Sequence, residues 1–108
     1  MATEVRRLIF TESETSAILS AYLATGSTSL PRGIVMNFAV LKEDPFSIRV
    51  LIQASDGRQL QEIMDEAHVA AAMINFCMQS RIPLSRKAKK KVKKLNAGIA
   101  LDMVLGKV

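Results

Sequence analysis

Two runs of strict alternation constrain this chain more than any other feature. Ile34, Met36, Phe38 and Val40 alternate with Val35, Asn37, Ala39 and Leu41; Phe46, Ile48, Val50 and Ile52 alternate with Ser47, Arg49, Leu51 and Gln53. A period of two with one face more polar than the other belongs to strands covered on one side only. Glu43-Asp44-Pro45 lies between the runs as a turn, so the two strands are expected to pair antiparallel. Phe38 and Phe46 fall in step with the apolar face, which sends both rings to the core.

The flanking segments extend this sheet and cover it. Residues 5–10 are a short β-prone run suited to an edge strand. Thr11-Glu12-Ser13-Glu14 has the form of a capping box, in which the Thr11 hydroxyl and the Glu14 carboxylate each accept from a backbone N–H of the first turn. Ile18 and Tyr22, and Leu19 and Leu23, are spaced for one apolar face, and Gly26 is a stop signal, so a helix is expected over 12–25. Asp56-Gly57 predicts a tight type I′ turn. Residues 58–64 then return as a third strand, although Leu60, Ile63 and Met64 also fit a helical stripe. Asp65 follows as the cap of a helix over 66–81.

That second helix is apolar around most of its circumference. Val69, Ala70, Ala71, Met73, Ile74, Phe76, Cys77 and Met78 leave only a narrow stripe of His68, Ala72, Asn75 and Gln79. A helix of this kind is buried, either as the core helix of a small domain or in part by a second subunit. Pro83 ends it, because the residue before a proline is biased toward extended geometry.

Composition supports one globular domain spanning 1–108. The chain of 108 residues is 49% apolar, enough to bury a core without disulfides or a metal. The single cysteine, Cys77, excludes an intrachain disulfide and a thiolate zinc site, and its apolar neighbours mark it as a small core residue. Arg6 and Arg7 are followed only by Leu8-Ile9-Phe10, too short for a signal-peptide core, and no stretch has the length of a membrane span. A cytoplasmic setting without a membrane partner is expected.

Charge is the most uneven property. The net charge is +5, yet residues 81–94 hold eight of the 15 basic side chains and none of the ten acidic ones, so the remainder is near −3. Within this segment residues 88–95 have two readings. Ala88, Val92 and Leu95 have helical spacing with Ser85 as a cap. Alternatively the stretch is a strand that Asn96-Ala97-Gly98 turns back onto Ile99, Leu101, Met103 and Leu105, which alternate.

The run Ile82-Pro83-Leu84-Ser85-Arg86, after an Ala-rich helix with an Asn75-Phe76-Cys77 step and before Ile99-Ala100-Leu101, resembles a family of small uncharacterised bacterial proteins, mainly from alphaproteobacteria. The resemblance covers most of the chain. It implies a hairpin over 88–105 and hence two strands there; it implies no activity and no site residues. The lysine run is denser here than such a family leads one to expect, so the patch is either a shared feature or particular to this chain. The fold expected is α+β: an antiparallel sheet with both helices packed on one face, in the order β-α-β-β-β-α-β-β.

The basic residues Arg81, Arg86, Lys87, Lys89, Lys90, Lys91, Lys93 and Lys94 are the candidate binding site. Crowded like charges repel one another, and a polyanion relieves that repulsion while releasing counterions. Lysine acts as a mobile point charge on phosphate rather than a bidentate reader of bases, so binding through shape and backbone is expected, with nucleic acid first among ligands. The plainer reading is a solvated, solubilising face or a strand edge protected by lysine. The order of elements and the place of the aromatic residues fit neither of two nucleic-acid folds. A double-stranded RNA domain has strands where this chain has its apolar helix, and an RRM needs aromatic side chains on the open sheet face.

Little else suggests chemistry. His68, the only histidine, lies beside Asp65 with no nucleophile or orienting third group at recognisable spacing. Glu62, Asp65 and Glu66 favour the positive start of a helix over a metal. The glycines form no phosphate-cradling motif. No catalytic residue, cofactor or metal is expected. The function expected is non-enzymatic binding of a polyanion by the lysine-rich segment; the other reading is a homodimeric adaptor associating through helix 66–81 or a strand edge.

Overall fold

The computed structural model describes residues 3–26, 30–85 and 88–105. Eight elements follow one another: β1 (Glu4–Phe10), α1 (Glu12–Ala24), β2 (Ile34–Glu43), β3 (Phe46–Gln53), β4 (Gln59–Asp65), α2 (Glu66–Gln79), β5 (Lys89–Leu95) and β6 (Gly98–Leu105). The order is β-α-β-β-β-α-β-β, an α+β fold as the alternation and caps indicate. The strands divide into two three-stranded antiparallel sheets, ordered β1-β6-β5 and β2-β3-β4. Residues 88–95 are thus resolved as a strand arm of a hairpin, not a helix.

One apolar core joins the two sheets. Leu19 and Leu23 of α1, Val69 and Met73 of α2, Val50 and Ile52 of β3, Val92 of β5 and Leu101 of β6 are all fully buried in the same cluster. Each such side chain contributes about 1.5–3 kcal/mol through removal of apolar surface from water. Phe10 and Phe76 meet edge to face at 5.7 Å within this layer. The inner row of β6 is Ile99, Leu101 and Met103, the alternation read from sequence. Cys77 is buried there too, and burial raises its thiol pKa.

Local signals account for the ends of the elements. The Thr11 hydroxyl accepts from the Glu14 N–H at 3.1 Å and the Glu14 carboxylate accepts from the Thr11 N–H at 2.8 Å, completing the capping box. Asp65 caps α2 by accepting from the His68 N–H at 3.0 Å, and this hydrogen bond is the main reason its carboxyl titrates below the ordinary value. Past the end of α2, Arg81 adopts φ 59°, with the Ile82 N–H donating to the Cys77 carbonyl and the Arg81 N–H to that of Met78. This is a Schellman stop in which arginine occupies the left-handed position that glycine normally takes.

Four expectations change. The β3–β4 connection is not a type I′ turn: of its residues only Gly57 has positive φ, and Ala54 and Gly57 make the hydrogen bonds of a three-residue loop ending in a left-handed glycine. In β2 the pairing with β3 shifts between Val35 and Asn37 and again between Val40 and Lys42. These bulges each add a residue, so Val35 points inward while Ile34 and Met36 stay exposed, although Phe38 and Val40 still pack on the core. On α2 the solvent stripe is rotated, since Ala72 is fully buried and Met78 is 71% exposed. The expected ends at residues 25 and 81 fall back to Ala24 and Gln79, because the last turns close on their caps.

Candidate nucleic-acid interface

Strand geometry sorts the lysines. Val92 is buried against the helices, so its neighbours in phase, Lys90 and Lys94, belong to the helix-facing side, and Lys89, Lys91 and Lys93 belong to the opposite, open face of the β1-β6-β5 sheet. Lys90 turns onto its own loop, donating to the carbonyls of Ser85 at 2.9 Å and Ala88 at 3.1 Å. Lys94 is exposed on that side. Arg81 is exposed at the terminus of α2 rather than on the strand. Arg86 and Lys87 lie outside the described residues. The predicted site therefore separates into one row of three lysines and several cations facing elsewhere.

The ladder brings other residues to that row. Lys91 stands opposite Asp102, and Asp102 opposite Arg7, in one rung across β5, β6 and β1. The Arg7 guanidinium grips Asp102 with two hydrogen bonds, Nε to Oδ1 at 2.6 Å and Nη2 to Oδ2 at 2.9 Å. Lys93 approaches the same carboxylate diagonally at 3.8 Å. Hydrogen bonding to Arg7 dominates the lowering of the Asp102 pKa and opposes the effect of its burial; the Lys93 charge adds to the lowering. Asp102 is only 7% exposed, whereas the Arg7, Lys91 and Lys93 side chains remain about half exposed, at 43%, 56% and 51%. One carboxylate thus sits among three cations on this face, with Lys89 further along the row.

Other carboxylates do little to neutralise the row. Asp44, at the tip of the β2–β3 hairpin, reaches Lys91 at 3.9 Å, and both groups are largely in water. Exposed pairs at such range are worth about 0–1 kcal/mol and are screened by salt. Among the described residues, Lys89 and Lys94 have no ion pair.

The free edge of β5 has cover of its own. Its Val92 N–H donates to the Glu66 carboxylate at 2.9 Å, and β2 lies alongside without joining the ladder. Glu66, read from sequence as a residue favouring the helix start, therefore also satisfies a strand amide that would otherwise be unpaired. His68 is held by Asp65 through Nδ1 at 2.8 Å, at the start of α2.

Sequence reasoning missed Arg7, Asp102 and Glu66. The available signal was Asp102 itself, the one acidic residue in the last strand, interrupting the otherwise apolar Ile99–Leu105 run. No protein-family model matches this chain, and neither a curated protein nor a solved structure matches it.

Proposed function

We propose that this protein is a non-enzymatic binding protein whose open β1-β6-β5 face engages a polyanion, with nucleic acid the ligand its chemistry fits best. The observation that carries the reading is the alternate row Lys89, Lys91 and Lys93, beside a single near-buried carboxylate that Arg7 already grips. Such a face attracts phosphates, and release of their counterions drives binding. Edge protection accounts less well for the lysines. Glu66 already satisfies one amide of the β5 edge and β2 lies near it, so protection of that edge does not rest on the lysines alone. Arg86 and Lys87 would add charge to the same segment.

A mobility-shift titration with RNA and with DNA at several salt concentrations tests this directly. The wild type is expected to bind both, more weakly as salt rises. The triple variant Lys89→Gln, Lys91→Gln, Lys93→Gln is expected to bind much more weakly, with an unchanged circular dichroism spectrum, since these residues are exposed. Unchanged affinity in that variant overturns the assignment.

A second reading, association with a second copy, has support on the other sheet. Its outer strand β4 leaves Ile63 65% exposed and carries no basic residue among Gln59–Asp65. An edge without lysine or proline favours pairing with another strand. Helix α2 is a weaker candidate because its apolar residues are mostly engaged in the core, with Met78 the exception. A solution mass that stays monomeric with rising concentration removes this reading.

A further inference from the structure

We infer that the polyanion is a single-stranded nucleic acid lying along β5, with its bases laid across β6 toward β1. The inference rests on the polyanion reading above and adds the strand state and the orientation of the ligand.

Two parallel features of the open face carry it. The first is the lysine row. Alternate residues of a strand are about 6.6–6.8 Å apart, close to the step between neighbouring phosphates of an extended nucleic-acid strand. Three ammonium groups in line therefore match consecutive phosphates of one backbone. The second feature is apolar. Val5 and Ile9 flank Arg7 in phase on β1 and are 66% and 50% exposed. Between the two rows lies the low middle strand β6, with half-buried Val104, near-buried Asp102 and fully buried Ala100 on this face, Val104 and Ala100 paired with Val5 and Ile9 on one side and with Lys89 and Lys93 on the other.

The face thus runs from an exposed cationic row, across a middle strand whose side chains lie low, to the exposed apolar pair Val5 and Ile9 on either side of Arg7. The two outer rows are two strand spacings apart, about 9.6 Å, which is within the reach from a phosphate to the far edge of its own base. A duplex hides its bases in the stack and presents only phosphates to a flat surface, leaving Val5 and Ile9 in water. A single strand has unpaired bases to lay over them. The rings of the chain do not take this part: Phe10 and Phe46 are buried, and Tyr22, Phe38 and Phe76 pack against the core. Base contact is therefore aliphatic and indifferent to sequence, weaker than the aromatic stacking of other single-strand binders. Asp102 fits the same arrangement, because it fixes the Arg7 guanidinium between the apolar pair instead of leaving it to collect a second phosphate row.

The experiment uses the full chain with four probes: a labelled oligothymidylate, a hairpin duplex of equal charge, an abasic sugar-phosphate strand, and vesicles of anionic phospholipid. The variants are Val5→Ser with Ile9→Ser, both exposed positions, and the triple lysine-to-glutamine form. The oligothymidylate is expected to bind about tenfold more tightly than either the duplex or the abasic strand at low salt. The serine variant is expected to lose that preference while binding the abasic strand as the wild type does. Replacing the three lysines should flatten the slope of log affinity against log salt by about 2, the single-strand value for three phosphates. Equal or tighter binding of the duplex, an unchanged preference in the serine variant, or stronger binding to vesicles than to the oligonucleotide would each overturn the inference. Binding to duplex that still depends on the lysines leaves the broader polyanion reading in place, whereas failure to bind any of the four probes removes both.

Discussion

The two sheets share a core and differ on the side turned to water. On the β2-β3-β4 sheet the outer face mixes Asn37, Arg49, Gln59 and Gln61 with exposed Ile34 and Ile63. Its partner presents Lys89, Lys91, Lys93 and Arg7 around a near-buried aspartate. Both inner faces satisfy the same helices, so packing explains neither outer face. The contrast locates the unusual chemistry of this chain on one sheet, and it shows that charge was placed there by register: each cation of the rung is set by which residue its strand brings opposite Asp102.

The largest effect that sharpens this contrast is at the turn glycines. Gly98, which opens β6, has φ 148°, and a Cβ there would lie 2.0 Å from the Phe10 carbonyl oxygen. Gly98→Ala would push β1 from β6 and is expected to cost more than about 3 kcal/mol in chemical denaturation. Gly57, in the β3–β4 connection, has φ 89° with nothing near its Cβ. Gly57→Ala should cost only about 1 kcal/mol, the conformational penalty alone. Equal losses at the two sites would show that the close approach of β1 and β6 is not what holds the basic sheet together.

Next in size is Asp102→Asn, expected to destabilise by about 1–2 kcal/mol through loss of charge-assisted hydrogen bonds to Arg7. It also has a pH signature. The Asp102 pKa is lowered from 3.8 in the folded protein, chiefly by Arg7. Its contribution is therefore fully present above the unfolded-state value and is lost as pH falls through the lower folded-state value. Acid titration of stability should show the wild type and Asp102→Asn converging as pH drops below about 4. Parallel curves would mean that the Arg7–Asp102 pair is not formed.

A smaller change, of opposite sign, is expected at Arg81. Relieving its left-handed backbone with Arg81→Gly should stabilise by about 1 kcal/mol. Because Arg81 belongs to a helix terminus, the same variant should leave polyanion affinity nearly unchanged. A loss of affinity as large as that of the triple lysine-to-glutamine variant would return Arg81 to the site.

Much of this was legible from residue order. Alternation gave the central strands, the Thr11–Glu14 box gave the start of α1, and the charge run marked the segment. Other features depend on pairing between distant positions. The bulges of β2 turn Val35 inward in place of Ile34 and Met36, and no local pattern marks an extra residue in a ladder. Arg7 and Asp102 lie 95 residues apart and meet only through the β1–β6 register. The division of the lysines into a face row and an inward pair follows from strand geometry, but only once residues 88–95 are known to be a strand. Lys90 and Arg81 show the limit of counting charge: each is basic and near the run, yet one is turned onto Ser85 and Ala88 and the other shapes a helix end.

Amide chemical-shift mapping by NMR, with a short oligonucleotide titrated into the labelled protein, compares the two sheets most directly. The account predicts perturbations concentrated on the rung of Arg7, Asp102 and Lys91 and on its neighbours Lys89 and Lys93, with Asn37, Arg49 and Gln61 unmoved. Shifts centred on the β2-β3-β4 face, or none on either sheet at low salt, would contradict it.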